Sequence, residues 1–283
     1  MDLTSPKTIR DIAKMFGFTF KKGLGQNFLT DRTVLEDIAG AANGADGIIE
    51  IGPGFGVLTQ ELGKNFSKVV AIETDESLKS VLSYTLSGFH NVKMVWGDVL
   101  KTDLAALIKD EFSGMKVSVA ANLPYYVTTP IISSLITSKL PVLDIVIMIQ
   151  KEVAERICAK PGTKDYGALS VMCQYYTVPE LVVTVKADAF VPAPKVDSAV
   201  IKMHVCDEPN VKTDDEEFFF KTVQAAFSQR RKTLSNCISS YFKLNKQKTD
   251  EILLSADIEP KRRGETLSLL DFANLSKKLK ENI

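Results

Sequence analysis

The chain has 283 residues, of which 45% are hydrophobic and 25% charged. These are ordinary globular values, and the length suits one large domain with a smaller second one. No stretch approaches the 18 consecutive apolar residues of a membrane span, and Met1 to Phe20 carries scattered charges rather than an apolar run, so neither a membrane segment nor a signal peptide is expected. Cys158, Cys173, Cys206 and Cys237 stand far apart with no C-x-x-C pair, beside only two histidines; the expectation is free thiols in a reducing cytoplasm, with no metal site.

Thirty-five basic and thirty-five acidic residues cancel, which counts mildly against a nucleic-acid binder. The distribution is uneven, however. Met1 to Gly25 holds five basic residues, including Lys21 and Lys22, against two acidic ones. Phe227 to Lys248 holds six, including Arg230, Arg231 and Lys232, against none. Each cluster is either a phosphate-binding surface or a solvated face.

In chain order, Asp31 to Ala42 reads as a helix with Val34, Leu35, Ile38, Ala39 and Ala42 on one face. Ile48 to Ile51 reads as a strand, Gly52 to Gly56 as a turn, and Val57 opens a helix. Lys68 to Glu73, Val92 to Trp96 and Lys116 to Ala121 are further strands. Leu143 to Ile149 is another, continuously apolar as a strand covered on both faces should be. This alternation predicts an α/β fold with a mostly parallel sheet. Leu181 to Val185 and Val196 to Val205 suit an antiparallel hairpin added to one edge. Cys206 to Glu217 is polar and acidic, a linker. Phe218 to Phe242, Lys248 to Ala256 and Ser268 to Lys280 then have helical periodicity. The predicted organisation is an α/β domain over residues 1–205, with a basic N-terminal arm, and a small all-α domain over 206–283.

Glu50-Ile51-Gly52-Pro53-Gly54-Phe55-Gly56 lies between a strand and a helix, the context of a nucleotide-binding turn. Its G-x-G-x-G spacing departs from the dinucleotide pattern G-x-G-x-x-G and suits a ligand without pyrophosphate, although a purely structural turn is the competing reading. The next strand ends at Glu73, placed to accept ribose hydroxyl hydrogens; Asp75 is nearby, but the strand end favours Glu73. Asp98 closes the third strand, where its carboxylate either accepts from an adenine amino group or caps a helix. Three such strand ends converge on the carboxyl edge of the sheet.

Asn122-Leu123-Pro124-Tyr125-Tyr126 follows the fourth strand at the same edge. An exocyclic adenine nitrogen is a poor nucleophile because its lone pair is delocalised. The Asn122 side-chain oxygen and the Leu123 carbonyl are candidate acceptors that could draw such a nitrogen toward tetrahedral geometry. Pro124 fixes its own φ and pushes Leu123 into an extended conformation. Tyr125 offers a face for stacking a base, worth about 1–3 kcal/mol. Without the cofactor motifs, this would be ordinary loop punctuation.

Taken in order, Lys22-Gly23-Leu24-Gly25-Gln26-Asn27-Phe28-Leu29, the glycine turn, Gly97-Asp98, Asn122-Leu123-Pro124-Tyr125, Phe190-Val191-Pro192-Ala193-Pro194-Lys195-Val196-Asp197-Ser198 and Arg230-Arg231-Lys232-Thr233-Leu234 resemble the ribosomal RNA adenine dimethyltransferase family. The resemblance runs from about Lys21 to the C-terminus. It implies a Rossmann-like class I methyltransferase domain that uses S-adenosyl-L-methionine and no metal. By the same resemblance, Asn27, Leu29, Gly52, Gly54, Glu73, Asp98 and Asn122 bind the cofactor. Asn122, Leu123, Pro124, Tyr125 and Phe190 form the catalytic pocket, with Tyr125 and Phe190 stacking on a flipped-out adenine. Lys21, Lys22, Arg230, Arg231 and Lys232 contact RNA.

Leu123 and the Phe190–Pro194 run resemble the members that dimethylate two adjacent adenosines near the 3′ end of small-subunit RNA, late in subunit assembly. The expected partner is therefore small-subunit RNA within an immature 30S particle, met by a cytoplasmic monomer with no membrane contact. The other readings are a large-subunit adenine dimethyltransferase of the macrolide-resistance kind, and a mainly non-catalytic assembly factor.

Overall fold

The computed structural model describes residues 1–19 and 27–283. Lys21 and Lys22, together with Gly25 and Gln26 of the first motif, lie outside the described residues. Among the described residues, nine strands run in chain order: β1 (Phe28–Leu29), β2 (Gly47–Ile51), β3 (Lys68–Glu73), β4 (Val92–Trp96), β5 (Val117–Asn122), β6 (Asp144–Gln150), β7 (Thr177–Val185), β8 (Phe190–Val191) and β9 (Ser198–Val205). Seven form one sheet in the order β4-β3-β2-β5-β6-β9-β7, while β1 and β8 pair antiparallel as a separate ribbon. The ladders from β4 across to β6 are parallel, and β9 runs antiparallel to β6. The two β-rich runs predicted at one edge are β7 and β9.

Helices cover the sheet: α1 (Pro6–Met15), α2 (Arg32–Ala41), α3 (Val57–Asn65), α4 (Lys79–Thr85), α5 (Leu104–Glu111) and α6 (Thr128–Thr137), while α7 (Lys151–Cys158) follows β6. Their starts follow local chemistry. Asp31 caps α2 by accepting the N–H of Thr33 (2.9 Å), and Asp103 caps α5 through Ala106 (3.0 Å). Burial outweighs these caps. Ile145 to Ile149 of β6 are all essentially inaccessible, and each such side chain stabilises by about 1.5–3 kcal/mol against about 1 kcal/mol for a cap.

The chain divides into two compact units, 1–154 with 180–205, and 155–179 with 206–283. This corrects the expected boundary: Glu155–Pro179 packs with the C-terminal helices rather than with the α/β unit. The reason is aromatic packing that no local signal announces. Tyr175 of α8 (Ala168–Tyr176) lies 4.8 Å from the Phe219 ring and 5.1 Å from Phe220, both on α9 (Glu216–Phe227). The remaining helices are α10 (Leu234–Phe242), α11 (Lys246–Ser255) and α12 (Leu269–Asn282), the last opened by a reciprocal cap between Ser268 and Asp271. The single helical run expected from Phe218 to Phe242 is in fact two helices, α9 and α10. Between them, Arg230, Arg231 and Lys232 are exposed in a loop that turns on the Lys232 N–H to Gln229 carbonyl bond (3.0 Å).

Among the described residues, no helix is long and apolar enough to cross a membrane.

Candidate active site at the sheet rim

The strand order reverses between β2 and β5, because β2 continues to β3 on one side and meets β5 on the other. Parallel sheets bind ligands in the crevice at such a reversal, outside the carboxyl ends of the strands. A cavity of about 410 Å³ opens there. Asn27, Leu29, Gly52, Gly54, Glu73, Asp98, Asn122, Leu123, Pro124, Tyr125 and Phe190 all line it.

The turn after β2 needs its glycines. Gly52 has φ +71° and nothing within 4 Å of where a Cβ would stand. Gly54 has φ +58°, and a Cβ there would meet the Phe28 ring at 2.7 Å. The backbone therefore runs bare beneath the cavity and enters α3 at Val57.

Glu73 ties the end of β3 to this turn. Its Oε1 accepts the Asp75 N–H (2.8 Å) and its Oε2 accepts the Gly54 N–H (3.2 Å). Burial pushes its carboxyl above the usual range, and the Asp75 and Gly54 amides partly offset this. Asp75, the sequence alternative, has its Oδ1 engaged by Ser77 N–H (3.1 Å) and Oγ (2.6 Å). Asp98 fulfils the capping reading, since its Oδ1 accepts the Leu100 N–H (3.0 Å). The same residue also lines the cavity.

Asn122 is the last residue of β5, registered opposite Met148. Its Nδ2 donates to the Asn27 carbonyl (3.3 Å), which leaves the side-chain oxygen as the acceptor. The Leu123 N–H donates to the Met148 carbonyl (3.1 Å), so the loop leaves the sheet at a fixed point. Tyr125 is half-buried, with its phenol 2.8 Å from the Ser198 hydroxyl, and burial pushes that phenol up. Phe190 is buried in β8, whose partner β1 carries Leu29. Thr30 adds to this link, donating to the Ala189 carbonyl through both N–H (2.8 Å) and hydroxyl (2.9 Å). The segment bearing Asn27 and Leu29 is thus bonded to the one bearing Phe190.

Glu50 is a wall residue to which the sequence reading gave no role. It is 1% exposed, lines the cavity, and its Oε2 has no hydrogen-bond partner among the described residues. Burial pushes its carboxyl up to about 8; the Glu73 charge adds to this and the Thr59 hydroxyl lowers it. Its signal was its place at the head of the glycine motif, inside a strand that reads as fully buried.

The basic cluster lies in the other unit. Arg230 donates to the Lys164 carbonyl (2.8 Å), so one of its three cations also holds local structure. Among the described residues, no cluster of His, Cys, Asp and Glu is arranged to hold a metal ion.

A family model described as "Ribosomal RNA adenine dimethylase" matches residues 17–275. A ribosomal RNA small subunit methyltransferase A from Geobacillus sp. (strain WCH70) is 49% identical, covering 98% of each chain. Among solved structures, a dimethyladenosine transferase from Plasmodium falciparum superposes with a TM-score of 0.75 at 25% identity, covering 90% of this chain and 98% of its own. The 23S rRNA methyltransferase ErmE superposes with a TM-score of 0.68 at 25% identity, covering 90% of this chain and all of its own. The expected Rossmann-like methyltransferase fold is the one observed.

Proposed function

The chain belongs to the ribosomal RNA adenine dimethylase family, and from that premise we propose that it dimethylates the N6 amino groups of two adjacent adenosines near the 3′ end of small-subunit ribosomal RNA. One observation carries the reading: candidate residues from six separate stretches of sequence line a single cavity at the strand-order reversal.

The donor set fits S-adenosylmethionine. A carboxylate (Glu73) stands beside a bare glycine turn, a second (Asp98) stands at the next strand end, and the orphaned Glu50 oxygen offers a buried hydrogen-bond partner in the cavity wall. Gly52, Gly54, Glu73, Asp98, Asn27 and Leu29 would hold the cofactor, which when bound supplies a methyl group on a positively charged sulfur. The chain's own work is placement. Asn122 Oδ1 and the Leu123 carbonyl accept the hydrogens of the adenine amine and draw its nitrogen toward tetrahedral geometry. Pro124 holds that loop extended, and Tyr125 and Phe190 wall the base on its faces. No histidine or lysine base is required, since methylation itself makes the departing proton acidic.

Arg230, Arg231 and Lys232 serve in this reading as phosphate contacts, as do Lys21 and Lys22. The partner is an immature small subunit in the cytoplasm, approached by a monomer. The superposition with ErmE favours the second reading, a large-subunit adenine target. Mass mapping of modified nucleotides after incubation with each unmethylated subunit separates the two. Two adjacent dimethyladenosines near the small-subunit 3′ end are expected. A single modified large-subunit adenine selects the alternative, and no transfer to either leaves a binding factor.

A further inference from the structure

The last two residues of the Phe190–Ser198 run reach the Tyr125 side chain and the turn that precedes Phe190. Ser198 opens β9 and is 1% exposed, and its hydroxyl lies 2.8 Å from the Tyr125 phenol oxygen. Asp197 holds the turn before the other aromatic residue. Its Oδ1 accepts the Ala187 N–H (3.1 Å) and its Oδ2 accepts the Lys186 ammonium (3.0 Å). The Lys186 carbonyl in turn accepts the Ala189 N–H (3.1 Å), closing the short turn that delivers Phe190. The dipeptide is itself anchored from the sheet. Ser198 is registered opposite Gln150 of β6, and the Asp197 carbonyl accepts the Lys151 N–H (3.1 Å).

We propose that Asp197 and Ser198 are positioning residues for methyl transfer, which set the two aromatic walls of the base pocket from one rigid strand end. The proposal rests on the reading of Tyr125 and Phe190 as those walls. Pro124 restrains the backbone beside Tyr125 but leaves its ring free to turn about its side-chain torsions. The hydroxyl pair to Ser198 removes that freedom, and a stacking wall is useful only if its plane is set before the base arrives. At the other wall, Lys186 and the Ala187 amide hold the Asp197 carboxyl below the usual range, so it stays an acceptor throughout the working pH span. The Lys186 pair is largely exposed and screened. The bond to Ala187 is therefore the one that matters.

The test uses the full chain and unmethylated small subunits. Ser198→Ala and Tyr125→Phe should each lower kcat/KM by about tenfold, and the double variant should lose no more than either single. Affinity for S-adenosylhomocysteine by calorimetry should stay within about twofold. With ζ-13C-labelled tyrosine, the Tyr125 resonance, assigned by its absence in Tyr125→Phe, should move in Ser198→Ala while the other tyrosine signals stay. Asp197→Asn keeps an acceptor for Ala187 and should stay near wild type, whereas Asp197→Ala should fall by about tenfold. An unmoved resonance, additive losses, unchanged rates or an Asp197→Asn defect equal to that of Asp197→Ala would overturn the proposal. If the wild-type chain transfers no methyl group, the functional reading fails first and this one with it. An active wild type matched by its variants removes this one alone.

Discussion

The sheet rim and the loop between α9 and α10, the two places to which the proposed function assigns roles, are built in opposite physical styles. At the rim, Glu50, Glu73, Leu123 and Phe190 are buried, and Glu73, Asn122 and Tyr125 each make specific hydrogen bonds to neighbouring segments. In the loop, Arg230, Arg231 and Lys232 are exposed, and Arg230 donates to the Lys164 carbonyl. In the proposed function the first arrangement would place atoms and the second would supply charge. Substitutions at the rim should therefore act steeply and independently of salt, while those in the loop should act gradually and through salt.

Asn122→Ala should show the steepest case. Removing the acceptor that orients the amine is expected to lower methyl transfer by about 10²–10³-fold, with ribosome binding and thermal midpoint unchanged. A loss under tenfold in single-turnover transfer would move the orienting role elsewhere. Glu73→Ala comes next, with cofactor affinity expected to fall roughly 10–100-fold, as for a lost charged hydrogen-bond acceptor; unchanged affinity by calorimetry removes Glu73 from the site. Reversing charge at Arg230, Arg231 and Lys232 together should weaken RNA binding and make the slope of log affinity against log salt shallower by about two to three. An unaltered slope returns the cluster to a solvated loop.

The smallest effect separates the regions by pH. Folded Glu50 keeps its proton up to about pH 8, whereas an unfolded chain releases it near 4.5. Between those values the unfolded state binds fewer protons, so this group's contribution to stability is present below about 4.5 and is lost as pH rises toward 8. Glu73 is shifted in the same direction. Glu50→Gln should therefore flatten the fall of melting temperature between pH 5 and pH 8. Parallel curves for variant and wild type would contradict the assignment.

The same contrast explains what could be read from sequence. The rim was legible because each element is local. Apolar runs announce β2 to β6, glycines announce the turn, and Glu73, Asp98 and Asn122 sit at strand ends where period and position coincide. The pairing of β1 with β8 was not legible, since two-residue strands some 160 positions apart have no periodicity to detect. The contact of Ser198 with Tyr125 spans 73 positions and was hidden for the same reason. Glu50 read only as part of the glycine motif, because its burial depends on strands that flank β2 from distant sequence. The polar, acidic texture after Val205 falls where one of the unit boundaries lies. It could not show that Glu155–Pro179 packs with the helices beyond it, which depends on Tyr175 meeting Phe219 and Phe220. The break between α9 and α10 was masked by apolar residues that continue at helical spacing on both sides of the basic loop.

Crystals grown with S-adenosylhomocysteine test the central claim most directly. The account predicts the ligand in the rim cavity, with its ribose on Glu73, its adenine beside Asp98 and its sulfur facing Asn122. Density for the ligand at any other place, with that cavity left to solvent, would contradict it.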